Sequence, residues 1–335
     1  MNPILFEKNI FVFLFSEALM WFAMFFIAVV SIVLLRKWDF ESTSTLQYRL
    51  EKRAQLVVTI IVIVAIFKIL LLPYFVFTID NLSAVVPGAM CAAGVVSFDQ
   101  YGLQLLFLKL LILFLLLLWI VINSADLKRS NYPFFRFKIS LVLIVFVLMC
   151  IEMLFDFLFF DGIDIHQVIN CCSTLYGLYE GMNPLPFGLD ITKLLILFYL
   201  LYFMIITSYI AKENMVLFIS LVLFVYLSYF AVLYFFGTYI YQDPSHNCPF
   251  CMMQRDYYYI GYLVWGSLFG GVFVGLVSVV DEYFLGSSAY GLKKMMVLLL
   301  SIFVLSVTVY VLWYYYQNGV WLEPKTGDDM AGMIM

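Results

Sequence analysis

The sequence predicts an all-α polytopic membrane protein with about eight transmembrane helices and both termini on the outer side. Three observations carry that expectation. The 335-residue chain is 65% hydrophobic and only 12% charged, against about 25% charged residues in ordinary soluble domains. No soluble fold hides that much apolar surface, so its solvent is lipid. The apolar residues also run unbroken for roughly 20 positions at a time, the length of a membrane-crossing helix, without the alternation of a membrane β-barrel strand. Finally, Lys and Arg crowd into alternate connections, which orients each crossing.

The spans come in order at 11–35, 54–78, 103–123, 139–160, 189–210, 215–239, 257–279 and 295–316. The first is expected not to be a cleavable signal, being too long and lacking a basic leader or a small-residue cleavage site. The connection 36–53 holds Arg36, Lys37, Arg49, Lys52 and Arg53, and 124–138 holds Lys128, Arg129, Arg136 and Lys138. Lys212 and the Lys293–Lys294 pair lie in later even connections, while 79–102 and 161–188 contain no Lys or Arg. By the positive-inside rule the even connections are cytoplasmic. The chain reads as one membrane domain over 1–335, with 317–335 as a short outer tail. No basic patch, phosphate loop or nucleic-acid motif is present, so membrane lipid is the expected partner and nucleic acid is not.

This topology sorts the six cysteines. Cys91 falls in the first outer loop, Cys171 and Cys172 in the second, and Cys248 and Cys251 in the third. Only Cys150 sits mid-span, where a small buried hydrophobe is expected. Five of six therefore face the compartment in which disulfides persist. The hexapeptide KLLILF occurs at Lys109–Phe114 and again at Lys193–Phe198, each time opening a helix after a cysteine loop. Residues 54–123, 139–210 and 215–279 are accordingly candidate repeats, each a helical hairpin with cysteines at its outer turn.

Glu17, Lys68, Lys109, Glu152, Asp156 and Lys193 lie inside spans, all in the outer half of the bilayer when counted from the helix ends. Ionisable groups there are costly and face a partner or a cavity. Glu152 and Asp156 are four apart and share a helix face. The six read either as an ion-paired structural core or as a proton path and polar floor for an active site.

The richest stretch is CPFCMMQR at 248–255. A thiolate is the reactive form of cysteine, and CxxC geometry or a helix N-terminus lowers its pKa. The pair precedes the seventh span, placing Cys251 near the positive end of that helix. Arg255, one turn on, can favour a thiolate or donate to a carbonyl-bearing ligand. Tyr257, Tyr258 and Tyr259 read as interfacial anchors, or as ring-stacking walls. Three rivals stand beside the redox reading. A zinc clip needs four ligands, two of them from Cys91, Cys171, Cys172 or His246. Copper would draw on Met90, Met252, Met253 and the tail MAGMIM. A structural disulfide would not call for a CxxC beside an arginine.

Cys248-Pro-Phe-Cys251-Met-Met-Gln254-Arg255 before a span resembles the active-site motif of the DsbB-type membrane thiol oxidases. The likeness reaches over about 215–316. It implies that Cys248 and Cys251 form the quinone-facing pair, with Arg255 and Gln254 at a bound ubiquinone or menaquinone. It also implies a thioredoxin-like extracytoplasmic dithiol partner, no metal, and a bacterial inner membrane with the cysteine loops outside. Two features depart from the family: eight helices exceed its four, and the further cysteines come before the CxxC. The second order is similar to the vitamin K epoxide reductase family. Cys91 paired with Cys171 or Cys172, or a vicinal Cys171–Cys172 bond, would then relay electrons to Cys248 and Cys251 by thiol–disulfide exchange. The opposing expectation is a transporter or copper-handling protein built on the loop Cys and Met residues and the intramembrane charges.

Overall fold

A computed structural model describes residues 3–39, 44–83, 85–89, 91–127, 132–163, 185–244, 246–286 and 289–322. Among them the chain is all-α, with eight helices long and apolar enough to cross a membrane. These are α1 Lys8–Lys37, α2 Thr45–Ser83, α3 Gln100–Leu127, α4 Phe135–Gly162, α5 Ile191–Ala211, α6 Asn214–Tyr241, α7 Ile260–Leu285 and α8 Tyr290–Asn318. The protein is an integral membrane protein of the polytopic helical class. Its polarity is arranged for lipid: Phe107 is 68% exposed while Lys109, two residues along α3, is 5% exposed. Within the spans many large apolar side chains face outward, while Glu17, Lys68, Lys109, Glu152 and Asp156 face inward.

Within the single membrane domain expected over 1–335, the chain forms two compact units. One comprises 1–87 with 95–167, and the other 88–94 with 168–335. In the first unit α1 packs on α2, α2 on α3, α3 on α4 and α4 on α1, closing a four-helix ring. Glu7 caps α1, its carboxylate accepting from the backbone N–H of Asn9 at 2.9 Å and Ile10 at 3.1 Å. Pro73 sits inside α2, a position that membrane helices tolerate. At one end of the ring Lys138 donates to Asn123 Oδ1 at 2.9 Å and pairs with Asp126 at 2.8 Å, and Trp119 Nε1 donates to the Lys138 carbonyl at 2.7 Å. These contacts lock α3 to α4.

The second unit closes in the same way, α5 on α6, α6 on α7, α7 on α8 and α8 on α5. Its centre is aromatic: Phe198 stacks on Phe224 at 5.3 Å and meets Phe236 at 5.2 Å and Phe303 at 6.0 Å. Gly275 lets α7 approach closely, since a Cβ there would fall 2.6 Å from Leu221 and 2.7 Å from the Met296 sulfur. Small residues at such crossings are the usual device of membrane bundles. Lys293 ties one end of this second ring together, donating to Asn214 Oδ1 at 2.7 Å and pairing with Glu282. A π-helical turn at Val232–Phe236 interrupts α6; such turns insert a residue and rotate the helix beyond them.

The unit boundary falls within the candidate hairpin 139–210, leaving α4 in the first unit and α5 in the second. The two copies of KLLILF also bury different faces. The first buries Lys109 and Ile112, and the second buries Leu194 and Phe198. Identical letters therefore occupy different angular positions on their helices.

Candidate functional site

In the second unit α6 ends at Gln242, whose φ of 55° is left-handed. The chain then turns back through 243–259 before α7 starts. This return carries the CPFC stretch, and the first turn of α7 packs directly on it. A Cβ at Gly261 would lie 2.7 Å from the side chains of both Met252 and Met253. Trp265 Nε1 donates to the Pro249 carbonyl at 3.0 Å. From the other side, the Tyr241 hydroxyl donates to the Cys248 carbonyl and accepts from the Met252 N–H at 3.0 Å. One phenol oxygen thus bridges the two arms of the loop, satisfying backbone groups that burial would otherwise leave unpaired.

Held in this way, three sulfurs converge. Cys91, in the 88–94 segment of the same unit, lies 3.4 Å by Sγ from Cys248. The ligand atoms of Cys91, Cys248 and Cys251 all fall within 4.8 Å of one another, at 0%, 3% and 3% exposure. A disulfide bond is about 2.05 Å long, so the 3.4 Å separation is a contact across which a bond can form with a small shift. Three soft sulfur donors at this spacing also suit a monovalent copper ion, but fall one short of the four ligands of a zinc clip. Cys171, Cys172, Met90, His166 and the tail methionines lie outside the described residues.

Two sequence expectations about this motif are corrected. The long helix begins at Ile260, not at 257, and Cys251 opens a three-residue 3-10 turn, Cys251–Met253. Cys251 therefore lies on a separate short turn before α7 rather than at the first residues of that helix. Arg255 is not one turn further along the same helix either. Gln254 is extended, with ψ 162°, and Arg255 starts a second short turn, Arg255–Tyr257, where its side chain is exposed. The break comes from backbone bonding: the Gln254 carbonyl accepts from the N–H of Tyr257 at 3.2 Å and of Tyr259 at 3.1 Å. Tyr258 and Tyr259 are both left-handed, at φ 53° and 56°, a conformation that bulky residues rarely adopt.

Sequence reasoning missed Tyr241, Trp265 and the His246 environment. Tyr241 meets the His246 ring at 4.2 Å and the Tyr257 ring at 4.8 Å, so Tyr257 does more than anchor the interface. His246 Nε2 and Asn247 Nδ2 are buried without a hydrogen-bond partner among the described residues. Burial holds the His246 imidazole below its ordinary pKa, against the opposing charge of Asp243. Burial raises the Tyr257 phenol, helped by the nearby Cys251. Only the cysteine spacing was visible in the sequence; nothing in it singles out one tyrosine among 24.

The first unit gathers five of the six expected intramembrane charges. Lys68 Nζ lies 2.5 Å from Glu17 and 2.7 Å from Glu152. Lys109 Nζ reaches Asp156 at 2.9 Å, Glu152 at 3.0 Å and Glu17 at 3.4 Å. It also lies over the rings of Phe13 at 4.8 Å and Phe75 at 4.9 Å, where the aromatic faces attract a cation. Lys193 is the exception: it is exposed in the first turn of α5, in the other unit. The expected balance of three acids and three bases becomes three acids and two bases. Cys150 is also corrected, from buried to half-buried, with Trp21 Nε1 donating to its sulfur at 3.3 Å.

No family model, no curated protein and no solved structure matches the chain. The likeness to the DsbB-type oxidases rests on the residues of its own motif, and the convergence of Cys91 on that motif is a separate, geometric observation.

Proposed function

We propose that the chain is a membrane thiol–disulfide oxidoreductase that moves electron pairs between extracytoplasmic thiols and a membrane quinone. The observation that carries this reading is the approach of Cys91 to Cys248 from a loop remote in sequence. A thiolate on Cys91 attacks the Cys248 sulfur of a Cys248–Cys251 disulfide, forming a Cys91–Cys248 bond and releasing Cys251 as thiolate. The exchange conserves electrons. A second upstream thiol, Cys171 or Cys172, then attacks the Cys91 sulfur of that bond, forming a disulfide with Cys91 and freeing Cys248. In the oxidising direction, the resulting Cys248–Cys251 dithiol gives two electrons and two protons to the quinone, leaving a disulfide and a quinol. Quinone chemistry of this kind belongs to ubiquinone or menaquinone, with Arg255 and Gln254 as its candidate contacts.

The three sulfurs are too buried for a protein partner to touch. A thioredoxin-like dithiol would therefore deliver electrons through Cys171 and Cys172, the remaining outer-loop pair. The basic even connections support an outer position for these loops, and the motif favours a bacterial inner membrane. The test mixes the purified chain with a reduced thioredoxin-like dithiol and a quinone analogue. Electron transfer that survives both Cys248→Ser and Cys251→Ser removes the reading.

The same three sulfurs favour one other reading, a site that takes up a soft metal such as monovalent copper. Metal analysis of protein purified without chelator separates the two. Stoichiometric copper lost in Cys91→Ser supports the metal site, and metal-free protein with cycling thiols supports the oxidoreductase.

A further inference from the structure

The charge cluster of the first unit does not balance, and its geometry shows where the imbalance falls. Three carboxylates, Glu17 from α1 and Glu152 and Asp156 from α4, face two ammonium groups, Lys68 from α2 and Lys109 from α3. All five are buried. A net negative charge inside an apolar bundle is costly, and such sites take up a compensating charge or lose their own.

The contacts assign the deficit to one atom. Both oxygens of Glu17 and both of Glu152 lie against a lysine nitrogen. Asp156 has only Oδ2 so placed, 2.9 Å from Lys109. Its Oδ1 is buried and has no hydrogen-bond partner among the described residues. Lys109 has no N–H to spare, because an ammonium has three donors and its nitrogen already meets Asp156, Glu152 and Glu17. We infer that the cluster holds one bound proton, carried on Oδ1 of Asp156, making the first unit a proton-binding site distinct from the thiols of the second. With that proton in place the five groups sum to zero charge, and the one oxygen that no ammonium faces is no longer an anion. The lysines already fill the approaches to the other carboxylates, which favours a proton over a metal cation.

The test is infrared spectroscopy on the full chain in lipid nanodiscs at neutral pH, reading the carbonyl stretch of protonated side-chain carboxyls and its shift in heavy water. The wild type should show one such band, and Asp156→Asn should lose it. An amide matches a neutral carboxyl in size and charge, so Asp156→Asn should fold and melt near the wild-type temperature. Lys68→Met, which removes one positive charge, should show two acid bands where it folds; where it does not, the Asp156→Asn comparison decides alone. The inference is overturned by a wild type without an acid band, or by a band that persists in Asp156→Asn. It is equally overturned by a melting temperature that climbs with sodium or calcium in the wild type but not in Asp156→Asn, which would make the occupant a cation.

Discussion

The sulfur of Cys91 lies 3.4 Å from that of Cys248, although 157 positions separate them in the chain. Thiols at that distance exchange bonds without large backbone motion. Oxidised Cys251→Ser protein should therefore carry a Cys91–Cys248 disulfide. With a protease site placed beside Lys212, between α5 and α6, the cut protein should stay joined on a non-reducing gel and separate on reduction. In the Cys91→Ser/Cys251→Ser double variant the fragments should separate without reductant. Separation in Cys251→Ser itself would show that the two sulfurs do not bond.

Tyr241→Phe should loosen the thiol loop. The change leaves the Cys248 carbonyl and the Met252 N–H without their common partner, at about 1–3 kcal/mol for a buried group left unsatisfied. Unfolding in detergent should shift by that order, and a maleimide should label Cys248 and Cys251 faster than in the wild type. Trp265→Phe removes a single donor to Pro249 and should loosen the loop less. Equal labelling rates in all three proteins would show that the tyrosine does not hold the loop.

Lys109→Met should be among the most damaging single changes in the first unit. Removing one partner of a buried charge network leaves uncompensated charge, costing about 3–5 kcal/mol. Adding Glu152→Gln should recover part of that loss, because one of the carboxylates that Lys109 faced goes with it. Lys193→Met, at the exposed copy of the same hexapeptide, should stay within about 0.5 kcal/mol. Chemical unfolding of the four proteins checks the order.

Acid should weaken the second unit through His246. Its imidazole is held below the ordinary value by burial, while in the unfolded chain it binds a proton near pH 6.5. The unfolded state then binds more protons, so this contribution is complete above about pH 6.5 and is lost as the pH falls through it. The unfolding midpoint of the wild type should drop over that range more than that of His246→Gln. Parallel curves would remove the histidine from the account.

Arg255→Ala should leave stability unchanged, since the side chain is exposed on its own short turn. A role at the quinone would appear instead as a raised KM for a quinone analogue. An unaltered KM would exclude it.

Much of this molecule was legible in its letters. All eight long helices arise from apolar runs whose length matches a bilayer, because hydrophobicity along a chain is a local property. Buried carboxylates and lysines inside those runs had to find partners, which marked Glu17, Lys68, Lys109, Glu152 and Asp156 in advance. The tertiary structure decided everything that depends on rotation about a helix axis or on loop geometry. KLLILF turns Lys109 inward and Lys193 outward, because neighbouring helices select the buried face. The CxxC stretch ends in two short turns, which separates Arg255 from the cysteines before it. Cys91 meets Cys248 because a seven-residue segment, 88–94, joins the second unit. A contact across that much of the chain is set by packing and leaves no trace in the local pattern of residues.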